Sequence, residues 1–433
     1  MLIRRCPQAI AAVFLTSLVT GCPVLQQANP SKAQQPVANP SKPPAAQPVA
    51  PQPASQKPTA RPYGPVPIEL PLLTQPPLPG PPPTPAQIPP YSVINEQYQP
   101  SFNVKGQQLF ANGELPDTAV DFNERDLYSV IYNVRRYFAT SAQADPDILR
   151  EGILGTQGVT VADTLKTLDF MLVVLYEDLM NQRPTRLKDP SFINANFKVI
   201  KWKPYNPKSP QQNQLRITKY AVFSHQGSRT PTAQFNTPLY RLEDQFTADK
   251  FYKKYTKQQV LSGVYNAGQP EAGKAKPIAY LSREGLEDAL LQGTVLIKFP
   301  DGGSAFFNVD RNNGIPYAKG IKQRSQKRYW YFKEVDAIKG YGGENAAKIP
   351  VKPGVTFAGD ILNIGLGKII VIEEGQGEKK QLRLGAIADT GGAFLPNLHQ
   401  LDFLAGIFQT KADFNGYISQ QQDYAGAYIL VKR

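Results

Sequence analysis

Two aspartates near the C-terminal end are, by type and spacing, the side chains of this 433-residue chain best suited to chemistry. Asp389 closes the apolar run Ala386-Ile387-Ala388. Thr390-Gly391-Gly392-Ala393-Phe394 follows it, and its two glycines permit a tight turn and a close backbone approach. Asp402 stands in Leu401-Asp402-Phe403, after a loop containing Pro396, so two carboxyl groups flank one loop. Such a pair can do acid–base chemistry, one group giving a proton while the other takes one or holds charge. An Asp at a strand end before Thr-Gly-Gly also serves simply to cap a turn.

Other chemistries fail earlier. His225 and His399 are the only histidines, and Cys6 and Cys22 the only cysteines. That excludes a disulfide-rich scaffold and a Cys/His zinc site. No Gly-x-Ser-x-Gly elbow surrounds a serine, and no phosphate loop or dinucleotide fingerprint stands in a strand–helix setting. Nothing has the spacing of a calcium loop. No metal and no cofactor are expected. Lys and Arg number 48 against 35 Asp and Glu, a net charge of +13. Residues 1–100 hold +4 of it (six Lys and Arg against two Glu), and the remaining +9 is diffuse, with no nucleic-acid motif. No nucleic-acid partner is expected, and the positive charge reads as a solvated surface.

The elements that must position these residues follow from periodicity. Leu127, Val130, Val134 and Tyr137 step at helical spacing. Val161, Leu165, Leu168, Leu172, Leu175 and Leu179 predict a helix over Val161–Met180, with Thr160 and Asp163 near capping-box spacing at its start. Shorter helices are expected over Thr247–Leu261 and Ser282–Leu291. These stripes read as core. From about Phe197 the pattern changes to short β-type runs: Arg216–Phe223, Thr294–Phe299, Ala305–Val309, Tyr329–Phe332, Lys368–Glu373, Gln381–Ile387 and Ala427–Val431. Many short strands with few long helices suggest a barrel. Glu374-Gly375-Gln376-Gly377 predicts a hairpin turn.

The N-terminal segments read as address and tether. Arg4 and Arg5 precede an apolar stretch, Ala9 to Val19, too short to span a bilayer. It closes on Val19-Thr20-Gly21-Cys22, which resembles a bacterial lipobox. Residues 1–22 are thus expected to be a lipoprotein signal peptide, with Cys22 as the lipid anchor to a membrane. Pro23 after the Cys, by resemblance to lipoprotein sorting, favours the outer membrane, facing the periplasm. Residues 23–95 are expected to be a disordered Pro-rich tether, since residues 23–90 hold 23 of the 41 prolines. Fully extended at about 3.1 Å per residue, it would reach on the order of 200 Å.

Taken together, several segments resemble the membrane-bound lytic transglycosylase A family. Asp389-Thr390-Gly391-Gly392-Ala393 with Asp402-Phe403 is similar to that family's three-aspartate region. Gly227 through Phe235 with Thr237-Pro238-Leu239-Tyr240-Arg241 resembles its entry segment, and Tyr280-Leu281-Ser282-Arg283-Glu284 its next block. Gln292-Gly293-Thr294, Asp301-Gly302 and Asn313-Gly314-Ile315-Pro316-Tyr317 look like its glycan-groove block. Lys352-Pro353-Gly354-Val355 and Ala425 through Leu430 resemble the flanks of the three-aspartate region. One departure is Lys219-Tyr220-Ala221-Val222-Phe223, where the family shows a Gly-Tyr-Tyr-x-Pro-like stretch.

The resemblance implies a mainly β fold with an α-helical N-terminal part: a double-psi β-barrel plus a second β-barrel domain. The expected organisation is a helical region at 100–195, a barrel domain with the substrate groove at 196–350, and a three-aspartate double-psi segment at 351–433. It further implies cleavage of peptidoglycan glycan strands between N-acetylmuramic acid and N-acetylglucosamine, with a 1,6-anhydro product. Asp402 would be the acid and base, Asp389 its positioning or charge-stabilising partner, and Gln292, Arg229, Tyr317 and Gly391 glycan contacts. The alternative is a non-catalytic peptidoglycan-binding lipoprotein using the same groove.

Overall fold

The helical stripes become helices. Leu127, Val130, Val134 and Tyr137 form the buried face of the helix Glu124–Ser141, and the helix Val161–Met180 spans the predicted range. Its start is reciprocally capped: Asp163 N donates to Thr160 Oγ1 at 3.1 Å, and Thr160 N to Asp163 Oδ2 at 3.0 Å. The computed structural model describes residues 89–318, 320–343, 347–375, 380–391 and 394–433. The expected signal peptide with Cys22 and residues 23–88 of the expected tether lie outside the described residues, as do Gly392, Gln376 and Gly377. No helix among the described residues is long and apolar enough to cross a membrane.

Strands carry most of the architecture. Five precede residue 203: β1 (Tyr91–Ile94), β2 (Pro100–Val104), β3 (Phe110–Gly113), β4 (Val120–Asp121) and β5 (Phe197–Trp202). The range expected to be the tether, 23–95, therefore runs too far, because Tyr91–Ile94 pairs antiparallel with β2. Eleven follow: β6 (Leu215–Ser228), β7 (Thr237–Leu242), β8 (Ala275–Leu281), β9 (Thr294–Lys298), β10 (Ser304–Asn312), β11 (Trp330–Val335), β12 (Thr356–Ala358), β13 (Ile369–Glu374), β14 (Gln381–Asp389), β15 (Gln400–Phe408) and β16 (Tyr424–Lys432). All but β1 and β2 belong to one fourteen-stranded sheet.

Within that sheet, β6, β15, β12, β14, β13 and β16 pair in turn, and β16 returns to β6. Six strands thus close a ring that leaves no free edge. Two pairs are parallel, β6 with β15 and β12 with β14; the other four are antiparallel. A largely aliphatic core, including Ile217, Ile370, Leu384, Ile387 and Ile429, is shared between this ring and the two long helices.

A second lobe runs in the order β7–β8–β6–β9–β10–β11, with β7 packed beside β11. Its core is aromatic: Tyr240, Phe251, Tyr265, Phe307, Tyr329 and Tyr331. The long strand β6 belongs to both lobes. Arg216 to Phe223 pairs with β15 in the ring, whereas Phe223 to Gln226 pairs with β9 and Gly227–Ser228 with β8.

Differences from the sequence expectations have local causes. The helix expected over Thr247–Leu261 forms only at Lys257–Leu261. Lys250 sits at φ +54°, which stops helical propagation, and a fresh cap at Thr256 restarts it. Strands β7, β8, β12 and β15 had no clear signal. Pro277 interrupts β8, β12 has three residues, and β15 carries Asp402 and Gly406 within an apolar run. The expected turn at Glu374-Gly375 is bracketed by antiparallel strands, with Glu374 opposite Gln381.

Candidate functional site

Ala358, on the three-residue strand β12, sets the site. It pairs with Asp389 of β14 on one side and with Asp402 of β15 on the other. The two carboxyl groups therefore flank one small side chain, two strands apart. Ordinary register would place Ala388 opposite Ala358. A bulge between β12 and β14 brings Asp389 there instead. Leu401 and Phe403, the sequence neighbours of Asp402, alternate to the other face of β15 and are buried in the core. Thr218 and Tyr220 of β6, opposite Asp402 and Leu404, complete this patch.

The two carboxyls are held differently. Asp389 accepts from the Tyr220 hydroxyl at 2.8 Å and from Thr390 N at 2.8 Å. Burial pushes its pKa up to about 6, although those two donors and the Lys348 ammonium pull the other way. Asp402 has a buried Oδ1 with no hydrogen-bond partner among the described residues. Burial pushes it up to about 7, the charge of Asp389 adding to the rise while Thr218 and Lys219 oppose it. A carboxyl that titrates there can be protonated at neutral pH and still give up its proton readily.

Both face an open cleft of about 450 Å³ where β6 passes from the ring to the second lobe. The ring side contributes Tyr220, Ala358, Asp389, Gly391 and Asp402; the opposite side contributes Gln292, Thr294, Asn308 and Trp330. Gln292 ends the helix Arg283–Gln292, which Ser282 caps by accepting from Gly285 N at 3.1 Å. Gly293 follows at φ +82°, and a Cβ there would lie 2.9 Å from the Trp330 ring. Glycine thus permits both the turn into β9 and the close seating of Trp330 at the cleft. Asn308 Nδ2 donates to Thr294 Oγ1 at 2.7 Å.

Of the six residues picked out for catalysis and glycan contact, the structure brings together Asp402, Asp389, Gln292 and Gly391. Arg229 and Tyr317 do not line this cleft. Arg229 pairs with Glu334 at 2.7 Å and lies 4.2 Å from the Phe299 ring centre. Tyr317 is exposed, with the Arg328 guanidinium 5.2 Å from its ring centre. The sequence reading missed Tyr220, Trp330, Asn308 and Lys348, all at the cleft. Tyr220 had a local signal: it lies in the stretch that departs from the family pattern. Trp330 and Asn308 reach the cleft through long-range strand pairing, and Lys348 reaches it from a connecting segment between β11 and β12. Among the described residues, no group of three or more His, Cys, Asp or Glu is placed to hold a metal ion.

No family model and no curated protein matches the chain by sequence. Solved structures do match in fold. A membrane-bound lytic murein transglycosylase from Agrobacterium tumefaciens superposes with a TM-score of 0.51 at 17% identity, over 75% of this chain and 98% of that one. Escherichia coli MltA with bound chitohexaose gives 0.50 at 16% identity, over 75% of this chain and 95% of that one. At such identities the likeness establishes a common fold.

Proposed function

We propose that this chain is a peptidoglycan lytic transglycosylase, cleaving the β-1,4 bond between N-acetylmuramic acid and N-acetylglucosamine and leaving a 1,6-anhydromuramic end. The observation that carries the reading is Asp402, a carboxyl raised to about 7 at an open cleft, with a buried oxygen that has no hydrogen-bond partner among the described residues. The likeness in fold to the Agrobacterium enzyme, and to an Escherichia coli protein holding a chitohexaose, supports a glycan as occupant.

Hydrolysis of a glycoside normally uses two carboxyl groups, one as acid and one as base or nucleophile. Here one group suffices in two roles, because the attacking oxygen belongs to the substrate. Protonated Asp402 gives its proton to the bridging oxygen as the bond from muramyl C1 to that oxygen breaks. The carboxylate left behind takes the proton of the muramyl C6 hydroxyl as that oxygen bonds to C1. Asp402 ends as it began, no water is consumed, and the two sugars part. Holding the C6 hydroxyl near C1 supplies proximity. Asp389, fixed by Tyr220 and Thr390, positions Asp402 and meets the positive charge developing at C1. Gln292 and Gly391 contact the glycan inside the cleft; Arg229 and Tyr317 would have to meet sugars beyond it.

On this reading the closed six-stranded ring is a double-psi β-barrel, the second lobe is the other barrel, and the cleft is the groove between them. The protein would hang from the outer membrane by lipidated Cys22 on its Pro-rich tether and face the periplasm. Incubation of the purified protein with sacculi, followed by mass spectrometry, tests the reaction. Muropeptides with 1,6-anhydro ends support it. Reducing ends would make it a hydrolase, and sacculus binding without any product would leave only a wall-binding protein.

A further inference from the structure

Two lysines line the cleft, and they differ. Lys339 is paired with Asp336 at 2.6 Å. Lys348 has no ion-pair partner within 4.0 Å among the described residues. It is half-buried, and its ammonium reaches across to the second lobe, where it donates to Asn308 Oδ1 at 3.3 Å. That bond is long for a charged donor and leaves two of its three protons for another acceptor. Burial lowers the Lys348 pKa, with Asp389 and Asp310 acting against the drop. An ammonium partly withdrawn from water, with no described carboxylate within 4.0 Å, favours an anion brought into the same space.

Resting on the transglycosylase reading, we propose that Lys348 is a specificity-determining residue that binds a carboxylate carried by the muramyl side of the glycan. It would thereby select acidic wall glycan over a neutral polymer of N-acetylglucosamine. A muramyl residue bears a lactyl carboxylate when bare and peptide carboxylates when substituted; chitin-type sugars bear neither. Among the described residues, the opposite side of the cleft offers neutral groups, Gln292, Thr294, Asn308 and Trp330, which suit sugar hydroxyls, amides and ring faces. The competing role for Lys348 is a strut between the lobes through Asn308, which would serve all glycans alike.

The test measures binding by calorimetry in an Asp402→Asn background, so that no glycan is consumed. The probes are chitohexaose, a muramyl glycan stripped of peptide, and the same glycan with its stem peptides. At least one acidic glycan is expected to bind about ten- to a hundredfold more tightly than chitohexaose, with the margin shrinking as salt rises. Lys348→Met should erase the margin, weakening the acidic glycan far more than chitohexaose, while Lys348→Arg keeps most of it. Preference for the stripped glycan assigns the lactyl group, and preference for the peptide-bearing one alone assigns the stem. A margin that survives Lys348→Met, one insensitive to salt, or an equal loss for all three probes overturns the proposal while leaving the transglycosylase reading intact. Failure of every probe to bind overturns both. Should Lys348→Met not fold, the salt dependence and Lys348→Arg decide alone.

Discussion

Two buried carboxyl sites, one in each lobe, are held in opposite ways. In the second lobe, Glu287 is 5% exposed and doubly paired: Lys257 Nζ donates to Oε2 at 2.6 Å and Arg283 to Oε1 at 2.7 Å. Lys257 also donates to Gln323 O at 2.7 Å. In the closed ring, Asp389 and Asp402 face the cleft with a tyrosine hydroxyl, a backbone amide and each other, and no cation within 4.0 Å among the described residues. The same type of group is thus fixed as a structural ion in one place and left able to change protonation in the other. Asp360 is intermediate: buried in the ring lobe, it accepts from Asn363 N at 3.0 Å, Asn363 Nδ2 at 2.8 Å and Asn397 N at 2.9 Å. Asn363 Oδ1 in turn accepts from Ile94 N at 3.0 Å. Burial still raises Asp360 to about 6, but its lone pairs are committed to holding loops. What sets Asp402 apart from Asp360 is unmet hydrogen-bonding capacity among the described residues at an open cleft, which burial alone does not provide.

The contrast breaks most sharply at Asp402. Asp402→Asn is expected to cut the release of anhydromuropeptides by roughly 10²–10⁴-fold with the fold intact. Retained release would move the acid–base role elsewhere. Next comes Glu287→Ala, which strips the counter-charge from Lys257 and should cost about 3–5 kcal/mol in urea unfolding. A loss below about 1 kcal/mol would mean that the pair is not structural.

The pH dependence of stability is a third measure. Asp402 titrates near 7 and Asp389 near 6 in the native state, both above the ordinary aspartate value of about 3.9. The native protein therefore holds protons that the unfolded chain has released. The stability they contribute is full below about pH 4 and lost as pH rises through 7. Asp402→Asn should flatten that decline and leave the variant more stable at pH 8, on the order of 2 kcal/mol. A steeper decline would contradict the raised value. Cleavage by the wild type should fall above pH 7, as the acid form is lost.

The smallest effect belongs to Tyr220→Phe. Losing that donor should lift the Asp389 titration above 6, seen by carboxyl NMR, and change the rate only a few-fold. No movement of the titration would show that the hydrogen bond does not set it.

Much of this was legible in the chain as written. The helices Glu124–Ser141 and Val161–Met180, the cap at Thr160 and the strand that ends at Asp389 depend on neighbours two to four residues away, and local periodicity records such relations. Asp389 and Asp402 also stood out in the sequence, through one loop and a family resemblance, and the structure sets both at the cleft. What the tertiary structure alone decided is that a bulge and a three-residue strand set both carboxyls against Ala358, and that a single strand shared by two lobes opens the cleft before them. It also decided that Lys348 and Asn308, 40 residues apart, meet across that cleft. Register between distant strands is set by whole-sheet packing, which no local run of residues encodes.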